Sequence, residues 1–164
     1  MKKATKPAKN EILVNLLTSI FLLNPELAAV QLDSNLKIIK LKYFVENFKG
    51  IDLKLQKAEY LWKSYLEFKK TEKYILKIEH SFLDNYVMIE VSRDLNTFQI
   101  GELSFAVELG KGLGLHYLSD EYNEVLDFIE VDEQQVNILL ENTKRSFSAK
   151  VFAFREEGRV VIAN

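Results

Sequence analysis

The chain of 164 residues has no cysteine and two histidines. The first absence excludes disulfides, thiolate nucleophiles and cysteine-ligated zinc. The second leaves His80 and His116, and neither stands in an HxxxH, HExxH or HxE spacing. A metal site would have to gather Glu79, Asp84 or Asp120 around them from a distance, so both read as ordinary strand or loop residues. No serine sits in a GxSxG setting, which leaves nucleophilic catalysis without a local signature. Arginine is also scarce, with Arg93 alone before residue 145. From Gly114 to Thr143 there is no Lys or Arg at all, against eight carboxylates. With two prolines and six glycines, no segment has the composition of a linker, and a single domain is the simplest account. The longest apolar stretch, Ile12 to Leu23, falls short of the roughly 20 residues a membrane span requires.

What is present is the composition of a globular protein, 48% apolar and 28% charged, in a chain long enough to bury a core without staples. The net charge of −2 conceals a polarity: residues 1–80 carry 15 Lys/Arg against 9 Asp/Glu, and residues 81–164 carry 7 against 15. Complementary surfaces within one molecule explain that division, and the same field could steer a charged partner. A cysteine-free chain without a spanning segment suits the cytoplasm.

Residues 1–9, MKKATKPAK, read as a flexible basic tail, and residues 10–164 as one α+β domain. The basic start, the apolar run and the following Asn24-Pro25-Glu26-Leu27-Ala28-Ala29 also have the order of a secretory signal. Against that, Glu11 and Asn15 interrupt, and Asn15, Thr18, Ser19 and Leu22 share one helical face, so a helix closed by Pro25 is the favoured reading.

The most legible stretch is Tyr74 to Arg93. Tyr74, Leu76 and Ile78 alternate with Lys77 and Glu79; after Asp84-Asn85, the residues Val87, Ile89 and Val91 alternate with Met88, Glu90 and Ser92. Period two on both sides of an Asx-type turn predicts a hairpin with one buried face. A similar hairpin is predicted from Ala28, Val30 and Leu32 through Asp33-Ser34-Asn35 to Ile39, Leu41, Tyr43 and Val45. A third joins 149–154 to 159–163, with Gly158 at a positive φ. Between them, a helix capped by Asp52 should run to about Lys70 on a stripe of Leu55, Ala58, Leu61, Trp62, Tyr65 and Phe68. Asn96 with Gln99 suggests a capping box for a second helix carrying Ile100, Leu103, Ala106 and Val107. Ser119 suggests a cap for a helix over 120–130, and Asp132 with Gln135 one for a helix reaching Lys144. The fold class expected is α+β: a mainly antiparallel sheet built from three β-hairpins, in the order hairpin–helix, hairpin–helix, helices, hairpin, with helices packed on it.

Few motifs suggest chemistry. Gly110-Lys111-Gly112-Leu113-Gly114 could expose backbone N–H groups to a phosphate, but its glycines follow a helix and match neither GxxxxGK[ST] nor GxGxxG; Gly110 or Gly112 as a helix C-cap is the simpler reading. The acids Asp120, Glu121, Glu124, Asp127 and Glu130 recur at helical spacing and read as a solvated face. Lys37, Lys40, Lys42 and Lys111 are the candidate contacts for a partner or a nucleic acid. Lysines beside Tyr43 and Phe44 could follow a phosphate backbone while an aromatic stacks on a base. No catalytic residue and no cofactor is assigned.

The function expected from these features is a non-enzymatic cytoplasmic protein-interaction or regulatory domain, self-associating through an edge strand or the first helix. The alternative is a nucleic-acid-associated protein using the basic N-terminal half. A third reading is a small-ligand binder or enzyme whose dispersed site gathers His116, Lys111 and acids from 120–133.

Overall fold

Alternation decides the architecture. In the strand Ile38–Glu46 (β2), Ile39, Leu41, Tyr43 and Val45 are buried while Lys40, Lys42 and Phe44 are half-buried. Each side chain of the first set that leaves water contributes about 1.5–3 kcal/mol, so the strand is pinned with that face inward. The structure, a computed structural model, describes residues 9–118, 132–146 and 150–163. Among them, Leu27–Asp33 (β1), β2, Leu76–Leu83 (β3), Tyr86–Asp94 (β4), Lys150–Glu156 (β5) and Arg159–Ala163 (β6) form one antiparallel sheet in the order β3-β4-β2-β1-β5-β6. The three predicted hairpins are all present, and the fold is α+β.

Four helices are described: Lys9–Leu23 (α1), Ile51–Phe68 (α2), Gly101–Gly112 (α3) and Glu133–Ser146 (α4). The basic tail expected over 1–9 lies outside the described residues except for Lys9, which already belongs to α1. The apolar run 12–23 is packed in the core, with Leu16, Leu17, Ile20 and Phe21 buried and Asn15 exposed. No described helix is long and apolar enough to cross a membrane. α1 packs on α4 and reaches β6, whereas α2 packs on β3 and α3. Phe105 of α3 stacks on Tyr65 at 4.1 Å between centroids and meets Trp62 edge-on. The helices thus cover one face of the sheet. The other face carries Lys40, Lys42, Phe44, Met88, Glu90, Phe152 and Phe154.

Several expected boundaries are corrected. α2 starts at Ile51 behind Gly50 (φ 91), and Asp52 is not its cap but lies in its first turn, where its Oδ1 is 2.7 Å from His80 Nε2. Gly50 supplies the left-handed entry that a side-chain cap would otherwise fix. Phe68 is 83% exposed, because the buried stripe runs through Ile51, Leu55, Ala58, Trp62 and Leu66 instead. α3 starts five residues after Asn96; its entry is organised by Glu102, whose Oε2 accepts the Gln99 N–H, and by Asp94, which accepts the Thr97 N–H. Asp132 does cap α4 by accepting the Gln134 N–H. The helix expected over 120–130 lies outside the described residues.

The glycine cluster is structural, but not where expected. The positive φ falls on Gly114 (φ 91), while Leu115 N–H donates to Gly110 C=O and Gly114 N–H to Lys111 C=O. These two bonds make a Schellman ending. Gly110 is needed for another reason: a Cβ there would lie 1.9 Å from Tyr117 Oη. In the last hairpin Gly158 has φ 75, as expected, and Glu157 before it has φ 48.

Candidate functional site

Two places concentrate functional-looking side chains, and their chemistry differs. The first is buried. Arg93 follows Val87, Ile89 and Val91 in the inward phase of β4, so the register forces a guanidinium under the helices. It is fully buried, and α3 supplies the carboxylate that makes this tolerable. Arg93 Nε donates to Glu102 Oε1 at 2.7 Å and Nη2 to Glu102 Oε2 at 3.1 Å. Nη1 donates to Ile75 C=O and to Asp94 Oδ1, and Nη2 also reaches Thr97 Oγ1. Trp62 Nε1–H donates to Glu102 Oε1 at 3.1 Å. Burial opposes ionisation of Asp94, but hydrogen bonds from Thr97 and the Ile75 N–H, with the Arg93 charge, hold its carboxyl below the usual range. Both Glu102 oxygens already accept two hydrogen bonds each, so this carboxylate has no free lone pair to take a proton from a substrate. The cluster binds β4, α2 and α3 together.

Nearby, two phenols sit inside. Tyr43 accepts from Asn24 Nδ2 and meets Tyr117 edge-on at 5.6 Å. Burial pushes both hydroxyls well above the ordinary tyrosine range, with further contributions from Tyr117 on Tyr43 and from Glu26 on both. Neither ionises at physiological pH. Tyr43 is therefore unavailable to stack on a base, contrary to the expectation that placed it beside the surface lysines; it shares the inward phase of Leu41 and Val45.

The second place is open. On the sheet face that the described helices leave bare, a groove of about 580 Å³ runs across β4, β2, β1 and β5. Its apolar floor and walls come from Phe44, Met88, Ala29, Phe152, Phe154 and Leu118. The register explains the gathering: Phe44 opposes Met88, and Ala29 opposes Phe154. Phe152 and Phe154 lie 5.5 Å apart, and Lys42 Nζ stands 5.3 Å above the Phe152 ring. Leu118 is brought there by the segment after α3, whose Leu118 N–H donates to Phe44 C=O while Glu46 N–H donates to His116 C=O. Among the described residues the charged ones lining the groove are Lys42, which pairs with Glu90, and Arg155, whose guanidinium donates to the Leu27, Phe21 and Asn24 carbonyls and lies over the Phe21 ring.

The four candidate lysines are dispersed. Lys40 and Lys42 converge on one carboxylate, at 3.3 Å and 3.5 Å from Glu90, and Lys42 forms part of the groove. Lys37 occupies the β1–β2 turn with φ 53, where its C=O accepts the Leu95 N–H. Lys111 pairs with Glu26 at 3.1 Å. The dispersed site imagined around His116 and Lys111 depends on acids of which 120–131 lie outside the described residues. Among the described residues no three His, Asp or Glu side chains gather as metal ligands would.

Sequence reasoning missed both places. Each left a signal in the phase of alternation: a charge among inward residues at Arg93, and large apolar residues among outward ones at Phe44, Met88, Phe152 and Phe154. Compared with known protein families, curated proteins and solved structures, the chain matches none.

Proposed function

We propose that this is a cytoplasmic protein-interaction domain that holds an apolar, carboxylate-bearing polypeptide segment on the bare face of its sheet. The observation that carries the reading is the groove itself: four large apolar side chains from three strands, pointing to the face that the described helices leave open, with Lys42 beside them and no carboxylate among the described lining residues. A soluble sheet face ordinarily alternates to polar residues here. A contiguous apolar trough with a polar rim is the usual anatomy of a protein contact. Each partner side chain buried in it contributes about 1.5–3 kcal/mol, and Lys42 adds selectivity for a carboxylate rather than bulk affinity.

The test uses two synthetic ten-residue peptides of alternating Leu and Phe, one interspersed with Glu and the other with Lys. Fluorescence anisotropy should show the Glu peptide binding the full chain at least about tenfold more tightly, and Lys42→Glu should reverse that preference. Equal binding of the two peptides, or none, would remove the proposal. Salt-sensitive binding of an RNA oligonucleotide, lost on Lys40→Glu with Lys42→Glu, would replace it with the nucleic-acid reading.

A further inference from the structure

We infer that β3 is a self-complementary edge that pairs with the β3 strand of a second copy about a two-fold axis at Ile78. β3 is the terminal strand of the sheet and, among the described residues, only β4 pairs with it. Leu83 and Tyr86 close the two-residue turn Asp84-Asn85. Such a closing pair is hydrogen-bonded, so the N–H and C=O groups of Leu76, Ile78, His80 and Phe82 point away from β4, toward the open side. Edges of this length are usually blunted, commonly by a lysine that repels a second edge. Here the lysine is accompanied. Lys77 and Glu79 lie on the same face two residues apart, their side chains 2.9 Å from each other.

That spacing selects a register. With Ile78 opposite Ile78 of the second copy, each Lys77 faces a Glu79 across the interface, twice by symmetry. A slip of two residues one way sets Lys77 against Lys77; the same slip the other way sets Glu79 against Glu79. Like charges directly opposite destabilise a sheet and unlike charges support it, so one register is favoured and its neighbours are penalised. The same alignment brings Phe82, 55% exposed, opposite the residues that lead into β3 of the second copy, where Tyr74 offers an aromatic ring. Exposed apolar residues are concentrated on this side of the molecule: Leu53, Tyr60 and Phe68 on α2, Ile75, Phe82 and Leu83 at β3, and Tyr86 on β4. The proposal is independent of the groove, which lies across other strands.

Charge reversal tests it with the full chain. By analytical ultracentrifugation the unmodified protein should show a species of twice the 19.1 kDa chain mass. Lys77→Glu alone and Glu79→Lys alone should each weaken association on the order of tenfold or more, because both symmetric pairs become repulsive. Mixing the two single variants should restore it, since the acidic edge of one then meets the basic edge of the other. As a second measurement, Ile78→Cys, the sole thiol in the chain, should cross-link to its own copy under mild oxidation, whereas Ser81→Cys should not. A monomeric wild-type chain, single reversals that associate unchanged, or a mixture that stays monomeric would each overturn the inference.

Discussion

Arg93 and Glu102 meet side-on, Nε to Oε1 at 2.7 Å and Nη2 to Oε2 at 3.1 Å, with both residues almost wholly removed from water. A bidentate pair of this kind fixes orientation as well as charge. It sets where α3 lies against β4, while the Trp62 indole ties α2 to the same carboxylate. Removing Glu102 leaves Asp94 as the remaining counter-charge of Arg93 and takes the acceptor from its Nε and from the Trp62 N–H. Glu102→Ala should therefore cost about 2–4 kcal/mol in urea unfolding, short of what a wholly unpaired buried charge would cost. Replacing both residues by apolar ones of similar volume should cost much less. A small effect of Glu102→Ala would show that water reaches Arg93.

Asp94 gives this cluster a pH signature. Its folded-state ionisation lies below the unfolded value of about 3.9. Its stabilising contribution is thus fully present above that value and is lost as pH falls through the lower folded one. Unfolding free energy measured from pH 6 to pH 2 should drop more steeply for the wild type than for Asp94→Asn. Parallel curves would contradict the depressed ionisation.

Gly110 is occupied from outside by the Tyr117 hydroxyl. Tyr117 is held by the edge-on contact with Tyr43 and cannot swing away without cost. Gly110→Ala should destabilise by about 1–3 kcal/mol as overpacking. In combination with Tyr117→Ala the two effects should be clearly non-additive, as a double-mutant cycle would report. Simple additivity would mean that the two positions do not press on each other.

These residues also mark how far the sequence could be read. Hairpins were legible because Asp33-Ser34-Asn35, Asp84-Asn85 and Gly158 sit between runs of strict alternation, and both signals are local. The start of α2 was not, because Gly50 enters through a left-handed backbone rather than a capping side chain, and Asp52 faces His80 instead. Phe68 looked like core because it falls near the helical period, but the stripe turns through Leu66 and leaves it in solvent. The groove was half visible: Phe44 and Met88 stand in the outward phase of adjacent strands. That Phe152 and Phe154 join them depends on β1 pairing with β5 across more than a hundred residues, and no local pattern reports such a pairing. Arg93 carried the clearest unread signal, a lone arginine in phase with three buried β-branched residues.

The groove residues should separate binding from folding. Phe44 and Phe154 are half-buried rather than core, so Phe44→Ser and Phe154→Ser should each change stability by no more than about 1 kcal/mol. Each should weaken the Glu-bearing peptide about tenfold or more. Variants that unfold, or that bind undiminished, would both count against the site.

The most direct measurement follows from another scarcity. The chain has two methionines, Met1 and Met88, so methyl-labelled protein gives two methionine signals, one of them from the groove wall. On titration with the Glu-bearing apolar peptide, the Met88 methyl should shift progressively to saturation, and the Lys-bearing peptide should leave it nearly unmoved. A peptide that binds while Met88 stays fixed, or one that never binds, would contradict the account.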